Sequence, residues 1–599
     1  MMDTGAKPFR SPQGAKCLSL RCQALVESTR LADDRVDVVA APLSRDVTDH
    51  EHKAGQVTAE IDTTDPPTPP RGISDNHRVA ANALANASRS IVALAVLFLL
   101  TPYVIHRLGA EQYGLWVLLA SVIGYFELMD CGLATATVKF IGQFEGQGDA
   151  ASRNRLISTL LATYLVIAMV VVLVAAYVGA NLLQWLQVAP EHRTTALIVF
   201  SILAARAALS LPLSLFMGVL FGRQQICLVS LVRTGFYVLF GIAAWATLAR
   251  GGGLIGFAAV HATVSTLEHL TLLGICMACT PRLEIRWRHL DWLLLRQAFA
   301  FSGFALLTNL SATALLRTDP ILVKMFLPLG MVAVYGVALR IGEQLLSVTK
   351  QGLNAVTPLV AQLHGAGDLD RIRSVLLRSV KWSLASLLAL AIPAACWSRE
   401  TLSLWVGPQF EPAAPIVMVL AAAMGFRVIQ EAGANVLAMT GRHPLVAWTA
   451  IGNAALNIGL SVVLVRHWGV LGVAMGTLLA TAVTMLVVVQ AACWAHDVRW
   501  RELLGSAVAP AAAAGLVQIA VCLGLRHVIQ PQTWAALAFV YAAGVGSLLL
   551  SFWHIGMQDD ERAAVTARIG SARTGRQTAT SGQPVAAPAT AAPTDGEVS

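Results

Sequence analysis

The sequence predicts an all-α polytopic membrane protein of about fourteen transmembrane helices, and three observations support this prediction. Apolar residues make up 56% of the 599 residues and charged residues only 13%, with a mean hydropathy of +0.63. Apolar runs of about twenty residues, long enough to cross a hydrocarbon core of roughly 30 Å, recur along most of the chain. An internal repeat indicates two pseudo-symmetric six-helix bundles around a central cavity, with two additional C-terminal helices.

Each span is delimited by the length of its apolar run and by the charges that flank it. The predicted spans are 84–105, 113–138, 157–182, 196–221, 228–248, 254–279, 299–316, 332–359, 382–396, 416–437, 445–465, 470–492, 503–525 and 534–553. They define a first transmembrane bundle (79–281), a cytoplasmic linker (282–297), a second bundle (298–495) and two further helices (496–555).

Both ends of the chain are predicted to be disordered cytoplasmic tails, because neither can bury an apolar core. The N-terminal tail (1–78) carries mixed charges and the proline-rich stretch "DPPTPPRG". A start codon assigned upstream of the true one would also produce such a segment. The C-terminal tail (556–599) is rich in Ala, Thr, Ser and Gly.

Basic residues between the spans fall into two alternating sets. Arg153, Arg286 and Arg371 represent the larger set, and Arg107 and Arg466 the smaller one. The excess is about two to one, so the positive-inside rule predicts that the larger set and both termini are cytoplasmic.

A parallel repeat relates the two halves of the chain at a spacing of about 220 residues. The second span is followed by "GQFEGQGDAASRNRL" and the eighth by "AQLHGAGDLDRIRSV". The pairs Tyr113-Gly114 and Tyr335-Gly336 open the same two spans. Gly-x-Gly-Asp alone is a common turn between helices, but the shared Tyr-Gly pairs favour a true repeat.

Two stretches resemble a known family. "LGAEQYGLWVLLASVIGYFELMDCGLATATVKFIGQFEGQGD", from Leu108 to Asp149, is similar to the opening of Wzx-type polysaccharide flippases. These belong to the multidrug, oligosaccharidyl-lipid and polysaccharide exporter superfamily. "RTDPILVKMFLPLGMVAVYGVALRIGEQ", from Arg317 to Gln344, is similar to the corresponding part of their second half. Cys131 departs from the family pattern, in which this stretch is small and apolar.

The resemblance implies an alternating-access flippase in the bacterial cell inner membrane. Its substrate would be an undecaprenyl-diphosphate-linked oligosaccharide, carried to the periplasmic leaflet for synthesis of O-antigen lipopolysaccharide, capsule or exopolysaccharide. A polysaccharide polymerase and a chain-length regulator are implied as partners, and the acidic residues named below leave coupling to H+ or Na+ open. Two relatives in the superfamily remain open as alternatives: a peptidoglycan lipid-precursor flippase and a multidrug/cation antiporter.

Basic residues inside the spans are candidates for the substrate cavity, because a charge in the bilayer must face water or a partner. An anionic lipid diphosphate would require such cations. The candidates are Arg89, Arg206, Arg317, Arg340, Lys350 and Arg427. For Arg89 the alternative is a cytoplasmic anchor that snorkels, and for Arg427 it is an ion pair that serves packing.

Acidic residues inside the spans are candidates for ion coupling or gating: Asp130, Glu268, Asp319, Glu343 and Glu431. Glu268 has two histidines close to it in sequence, His261 and His269, which titrate in a useful range. Arg340, Glu343 and Lys350 fall on one face of the eighth span. Arg427 and Glu431, four residues apart, are predicted to pair within their helix. Each acid has packing as its alternative role.

Other classes of function are disfavoured. The scattered basic residues argue against a nucleic-acid partner despite the net charge of +8. A phosphate-binding GxxxxGK[ST] motif is absent from the sequence, and no inter-span loop is long enough for a catalytic domain. We therefore expect no catalytic residues, no cofactor and no metal site, and a membrane polysaccharide polymerase is the weakest alternative.

Overall fold

The computed structural model describes residues 73–280, 282–563 and 565–567, and the regular structure in these ranges is helical. Fourteen helices organise it: α1 Ile73–Phe126, α2 Leu133–Gly146, α3 Ala150–Trp185, α4 Arg193–Gly222, α5 Ile226–Ala249, α6 Gly253–Cys279, α7 Trp292–Phe326, α8 Leu329–Gly365, α9 Leu369–Cys396, α10 Ser398–Trp405, α11 Ala414–Met439, α12 His443–Ala495, α13 Ala509–Val528 and α14 Trp534–Ser551.

Eleven helical segments of the described chain are long and apolar enough to cross a membrane, and a bent pair within α7 raises this number to twelve. Two of these segments are each broken by a glycine with non-helical backbone angles. Gly109 (φ 80°, ψ 166°) divides α1, and Gly469 (φ 56°, ψ −137°) divides α12. Since each break turns one long helix into two spans, the structure is compatible with the fourteen predicted spans.

The helix bounds differ from the predicted segments at three places. Helix α1 begins at Ile73, inside the predicted N-terminal tail, and the residues before it lie outside the described chain. Helix α7 begins at Trp292, so the last residues of the predicted linker are helical. Within the predicted C-terminal tail, residues 559–563 are helical.

The Gly-x-Gly-Asp sequences of the repeat fold into the same turn. Gly148 and Gly367 adopt left-handed backbone angles, with φ of 69° and 71°. The following residues, Asp149 and Asp368, cap α3 and α9 by accepting backbone hydrogen bonds at 2.9 and 3.1 Å. The bond from Ser152 holds the pKa of Asp149 below its usual range. Matching local structure supports the repeat interpretation of these two segments.

The Tyr-Gly pairs of the repeat lie where α1 and α8 cross, and we call this contact the Tyr-Gly crossing. A Cβ at Gly114 would overlap the carbonyl oxygen of Leu329 and lie 3.3 Å from the backbone nitrogen of Ala333. A Cβ at Gly336 would lie 3.0 Å from the side chain of Val117. Small residues let membrane helices approach closely, so the two bundles meet backbone to backbone here.

The last two spans pack against the second bundle through α9. Gln518 of α13 donates a hydrogen bond to the carbonyl oxygen of Ala389 at 3.0 Å. At one end of the same interface, the guanidinium of Arg526 donates a hydrogen bond to the carbonyl oxygen of Cys396 at 2.7 Å. Polar side chains of α13 therefore satisfy backbone carbonyls of α9 and fix the two helices against each other.

We expect the Gly114→Ala substitution to disrupt the Tyr-Gly crossing, because the added methyl group overlaps the backbone of α8. The expected result is a fall in apparent melting temperature in detergent, with faster maleimide labelling of a cysteine introduced at the buried position Ala333. Gly330→Ala is the matched control, since a Cβ there meets no atom within 4 Å. Unchanged melting and unchanged labelling of the Gly114→Ala protein would contradict the proposed close approach.

Candidate functional site

The predicted second span is interrupted partway along its length. A 3-10 turn at Glu127–Asp130 follows α1. Cys131 and Gly132 then adopt positive φ angles of 55° and 73° before α2 begins. The sequence prediction of one regular helix is therefore wrong at this point. A 3-10 turn still places residues i and i+3, here Glu127 and Asp130, on one side. Irregular backbone at membrane depth is tolerated where it lines a cavity or is buried in protein.

Asp130 closes this interruption by capping the next helix. One carboxylate oxygen accepts a hydrogen bond from the backbone nitrogen of Ala134 at 3.3 Å, and the other accepts from the hydroxyl of Tyr164 on α3. The positive end of the α2 dipole also favours a negative charge here. Asp130 thus has a structural role in addition to its place in the cavity wall.

A cavity of about 570 Å³ lies largely inside the first bundle, and we call it the polar cavity. Four predicted candidates, Asp130, Arg206, Glu268 and Arg340, line it together with residues that were not predicted. Its charged and histidine lining consists of Glu127, Asp130, Arg206, Arg233, His261, Glu268, His269 and Arg340.

Two arginine–glutamate pairs cross the polar cavity between helices. Arg206 of α4 donates to Glu127 at 2.6 Å, and the same guanidinium reaches the hydroxyl of Ser265 on α6 at 3.5 Å. Arg233 of α5 donates to Glu268 of α6 at 3.0 Å. Glu268, predicted as a titratable acid with histidine neighbours, therefore has a cationic partner on the adjacent helix.

Aromatic rings form another part of the polar cavity wall. The ring of Trp116 stands edge-on to Phe257 and to His261, with centroid distances of 4.7 and 5.5 Å. Phe240 approaches the other side of His261 at 5.4 Å. This cluster joins α1, α5 and α6 and gives the wall a rigid apolar surface.

Arg340 of α8 lies where the polar cavity meets a second cavity of about 430 Å³, which we call the apolar cavity. Leu97, Thr101 and Arg340 line both cavities. The apolar cavity lies between α1 and α8 and extends to α9, α10 and α14, with a lining that is mostly leucine, valine and aromatic side chains. The Arg340 guanidinium donates a hydrogen bond to Glu343 at 3.2 Å. The same guanidinium contacts the side chain of Tyr113 on α1.

Lys350 does not share a cavity with Arg340, although both lie on α8. Its ammonium group is 3.0 Å from Glu431 of α11, which also accepts from Arg427 at 2.9 Å. Lys350 and Arg427 instead line a small cavity of about 70 Å³ inside the second bundle. The predicted pair of Arg427 and Glu431 is therefore present, and Lys350 extends it to a second helix.

Asp319 is buried in the second bundle, and its hydrogen-bond partners among the described residues are uncharged. Its carboxylate accepts hydrogen bonds from the hydroxyls of Tyr335 at 2.5 Å and Thr477 at 2.9 Å. The amide of Asn457 lies 3.2 Å from its other oxygen. Among the described residues Asp319 has no ion-pair partner, although Arg317 lies only two residues before it in the sequence.

Of the basic candidates, Arg89 and Arg317 line none of these three cavities. Arg89 lies beside Ser90 of α1, whose hydroxyl accepts a hydrogen bond from Gln351 of α8 at 3.4 Å. Arg317 packs against Gly124 of α1, where a Cβ would lie 3.0 Å from its Nε. Both residues therefore lie at contacts between the bundles.

The sequence predictions missed Arg233 and the uncharged partners of Asp319. Arg233 lies alone in the apolar stretch "LVSLVRTGFYVLF", so the rule that selected Arg206 would also have selected it. Tyr335, Asn457 and Thr477 carried no comparable signal, because a hydroxyl or amide inside a membrane helix is common. Their convergence on Asp319 depends on how three separate helices pack.

Comparison with known proteins agrees with this architecture. The family described as MatE matches residues 305–463. The uncharacterized membrane protein EpsK of Bacillus subtilis is 22% identical over 500 residues, covering 76% of this chain and 91% of that protein. The probable low-salt glycan biosynthesis flippase Agl15 of Haloferax volcanii is 20% identical over 405 residues, covering 66% and 80%.

Solved structures give the decisive likeness. An inward-facing multidrug resistance MATE transporter of the MOP superfamily superposes with a TM-score of 0.59 at 15% identity, covering 68% of this chain and 98% of that one. The lipid II flippase MurJ, in an inward closed conformation, gives 0.58 at 11% identity, covering 80% and 98%. The chain therefore has the fold of these MOP-superfamily proteins. The all-α polytopic fold class that the sequence predicted is confirmed, and the match of residues 305–463 to MatE agrees with the predicted resemblance.

We expect Glu431→Gln to destabilise the transporter, because it leaves Lys350 and Arg427 without their shared counter-charge. Breaking a buried ion pair costs about 3–5 kcal/mol, and the partial exposure of this cluster places the expected loss near the lower end. Thermal unfolding followed by tryptophan fluorescence in detergent measures it. Glu411→Gln, at an exposed position, is the control. Equal melting of the two variants would show that the cluster contributes no stability.

Proposed function

We propose that this transporter flips an undecaprenyl-diphosphate-linked oligosaccharide from the cytoplasmic to the periplasmic leaflet of the bacterial inner membrane. The product would supply synthesis of a surface polysaccharide such as O-antigen, capsule or exopolysaccharide. The positive-inside distribution supports an orientation with both termini in the cytoplasm. The named function of Agl15, a probable glycan biosynthesis flippase, supports the substrate class.

The observation that carries the proposal is the position of Arg340 between two unlike cavities. A lipid-linked oligosaccharide has three parts in sequence: an apolar chain, an anionic diphosphate and a polar glycan. The apolar cavity, Arg340 and the polar cavity follow one another in the same order. A guanidinium recognises phosphate by charge-assisted, bidentate hydrogen bonds, so Arg340 would bind the diphosphate in place of Glu343.

Coupling to a cation would involve Asp319 more readily than the other acidic candidates. Glu268, Glu343 and Glu431 each have an arginine or lysine partner, and Asp130 caps a helix. A buried carboxylate without a counter-charge must bind a proton or a cation to avoid a large desolvation cost. The carboxylate of Asp319 and the hydroxyls of Tyr335 and Thr477 bring together oxygen atoms, the ligands that hard cations prefer.

The first test of the function is complementation of a strain that lacks the gene. We expect wild type to restore surface polysaccharide, and Arg340→Ala to lose most of it while lipid-linked repeat units accumulate in the cell. Arg399→Ala, at an exposed position, should behave as wild type. Normal polysaccharide in the deletion strain, combined with increased sensitivity to cationic drugs, would instead favour an antiporter. Loss of peptidoglycan synthesis would favour a lipid II flippase.

The test of coupling is flipping in proteoliposomes under imposed Na+ or proton gradients. One of the two gradients should increase the flipping rate of wild type. The Asp319→Asn protein should lose that increase, because the asparagine amide neither binds a proton nor carries a charge. Asp559→Asn, in a fully exposed side chain, serves as the control. Retained acceleration in the Asp319→Asn protein would exclude this residue as the coupling group.

A further inference from the structure

Apart from Arg340, the charged groups that line the polar cavity have no net positive charge. Arg206 and Arg233 are its cations, and their partners Glu127 and Glu268 are at ion-pair distances of 2.6 and 3.0 Å. Asp130 adds a third acid to the same lining. With two cations and three acids, this part of the described cavity has no surplus positive charge to offer an anion.

The arginines are also held in place by their partners. The side chains of Arg206 and Glu268 are 13% and 14% exposed, and those of their partners Glu127 and Arg233 are 53% and 28% exposed, so each pair has one largely buried member. A carboxylate on an incoming sugar would have to displace one of these glutamates, and the displaced glutamate would then lack its counter-charge. Opposed like charges in a site of reduced dielectric exclude wrong ligands effectively.

The remaining lining suits uncharged sugar rings. The half-buried rings of Trp116 and Phe240 in the cavity lining offer apolar surfaces against which the C–H faces of a pyranose can pack. The buried Nε of Arg206 and Nδ1 of His261 have no hydrogen-bond partner among the described residues. Unsatisfied polar atoms of this kind mark positions that a ligand or water completes, and sugar hydroxyls can both donate and accept.

We propose that the polar cavity selects glycans without acidic sugars next to the diphosphate. This inference rests on the proposed function and adds the substrate class to it. Arg340 binds the diphosphate, the aromatic wall packs against the first sugar rings, and the paired glutamates disfavour a uronic acid at that position. Neutral and amino sugars are accepted.

The test compares two synthetic polyprenyl-diphosphate trisaccharides that differ only at C6 of the first sugar, a hexose in one and the corresponding hexuronate in the other. Each carries a fluorophore on its last sugar. Flipping in proteoliposomes is measured as the rate at which the fluorophore loses its protection from a quencher outside the vesicles. We expect wild type to flip the hexose compound at least about tenfold faster than the hexuronate compound. Equal rates, or a faster hexuronate, would overturn the inference.

The double variant Glu127→Gln/Glu268→Gln tests the assigned cause. Removing both carboxylates frees the two arginines, so the rate ratio should fall to about threefold or less through faster flipping of the hexuronate. Glu411→Gln should keep the wild-type ratio. A double variant that folds, by size-exclusion profile, and keeps the full ratio would overturn the role of the glutamates. Failure of wild type to flip either compound would overturn the proposed function, and this inference with it.

Discussion

A charge enclosed by membrane helices has to be matched by another charge, by hydrogen bonds or by water, and this requirement organises the helix bundles. Arg206, Arg233 and Lys350 each find an acid on a different helix. The cost of leaving any of these partners alone is far larger than the gain from a surface ion pair. The same contacts therefore orient the helices around the cavities and keep ionised groups there.

The sequence predicted what depends on local pattern. Apolar run length gave the spans, the repeated Gly-x-Gly-Asp gave matching turns at Asp149 and Asp368, and spacing gave the pair of Arg427 and Glu431. Partners on other helices could not be predicted, since no spacing rule connects Arg206 to Glu127. The break after Glu127 was missed as well, because an apolar run that is long enough to span does not reveal an interruption by left-handed residues.

The two bundles contribute unequally to the cavities even though their turns repeat. The first bundle supplies the charged and aromatic wall of the polar cavity, and Arg340 is the residue of the second bundle that lines it. The second bundle instead encloses Asp319 and the cluster around Glu431 within its own helices. Under the proposed function, this asymmetry would place cargo binding in the first half and binding of the driving ion in the second.

Tyr335 and Gly336 are neighbours on α8 but make different contacts. Gly336 lies against Val117 in the Tyr-Gly crossing, and the hydroxyl of Tyr335 donates to Asp319. Separation of the bundles at the crossing would move the backbone that positions this hydroxyl. By thermodynamic reciprocity, an ion that binds Asp319 better in one arrangement must also stabilise that arrangement to the same extent. A single turn of helix thus supplies a physical route by which an ion gradient could bias which side of the membrane the cavity faces.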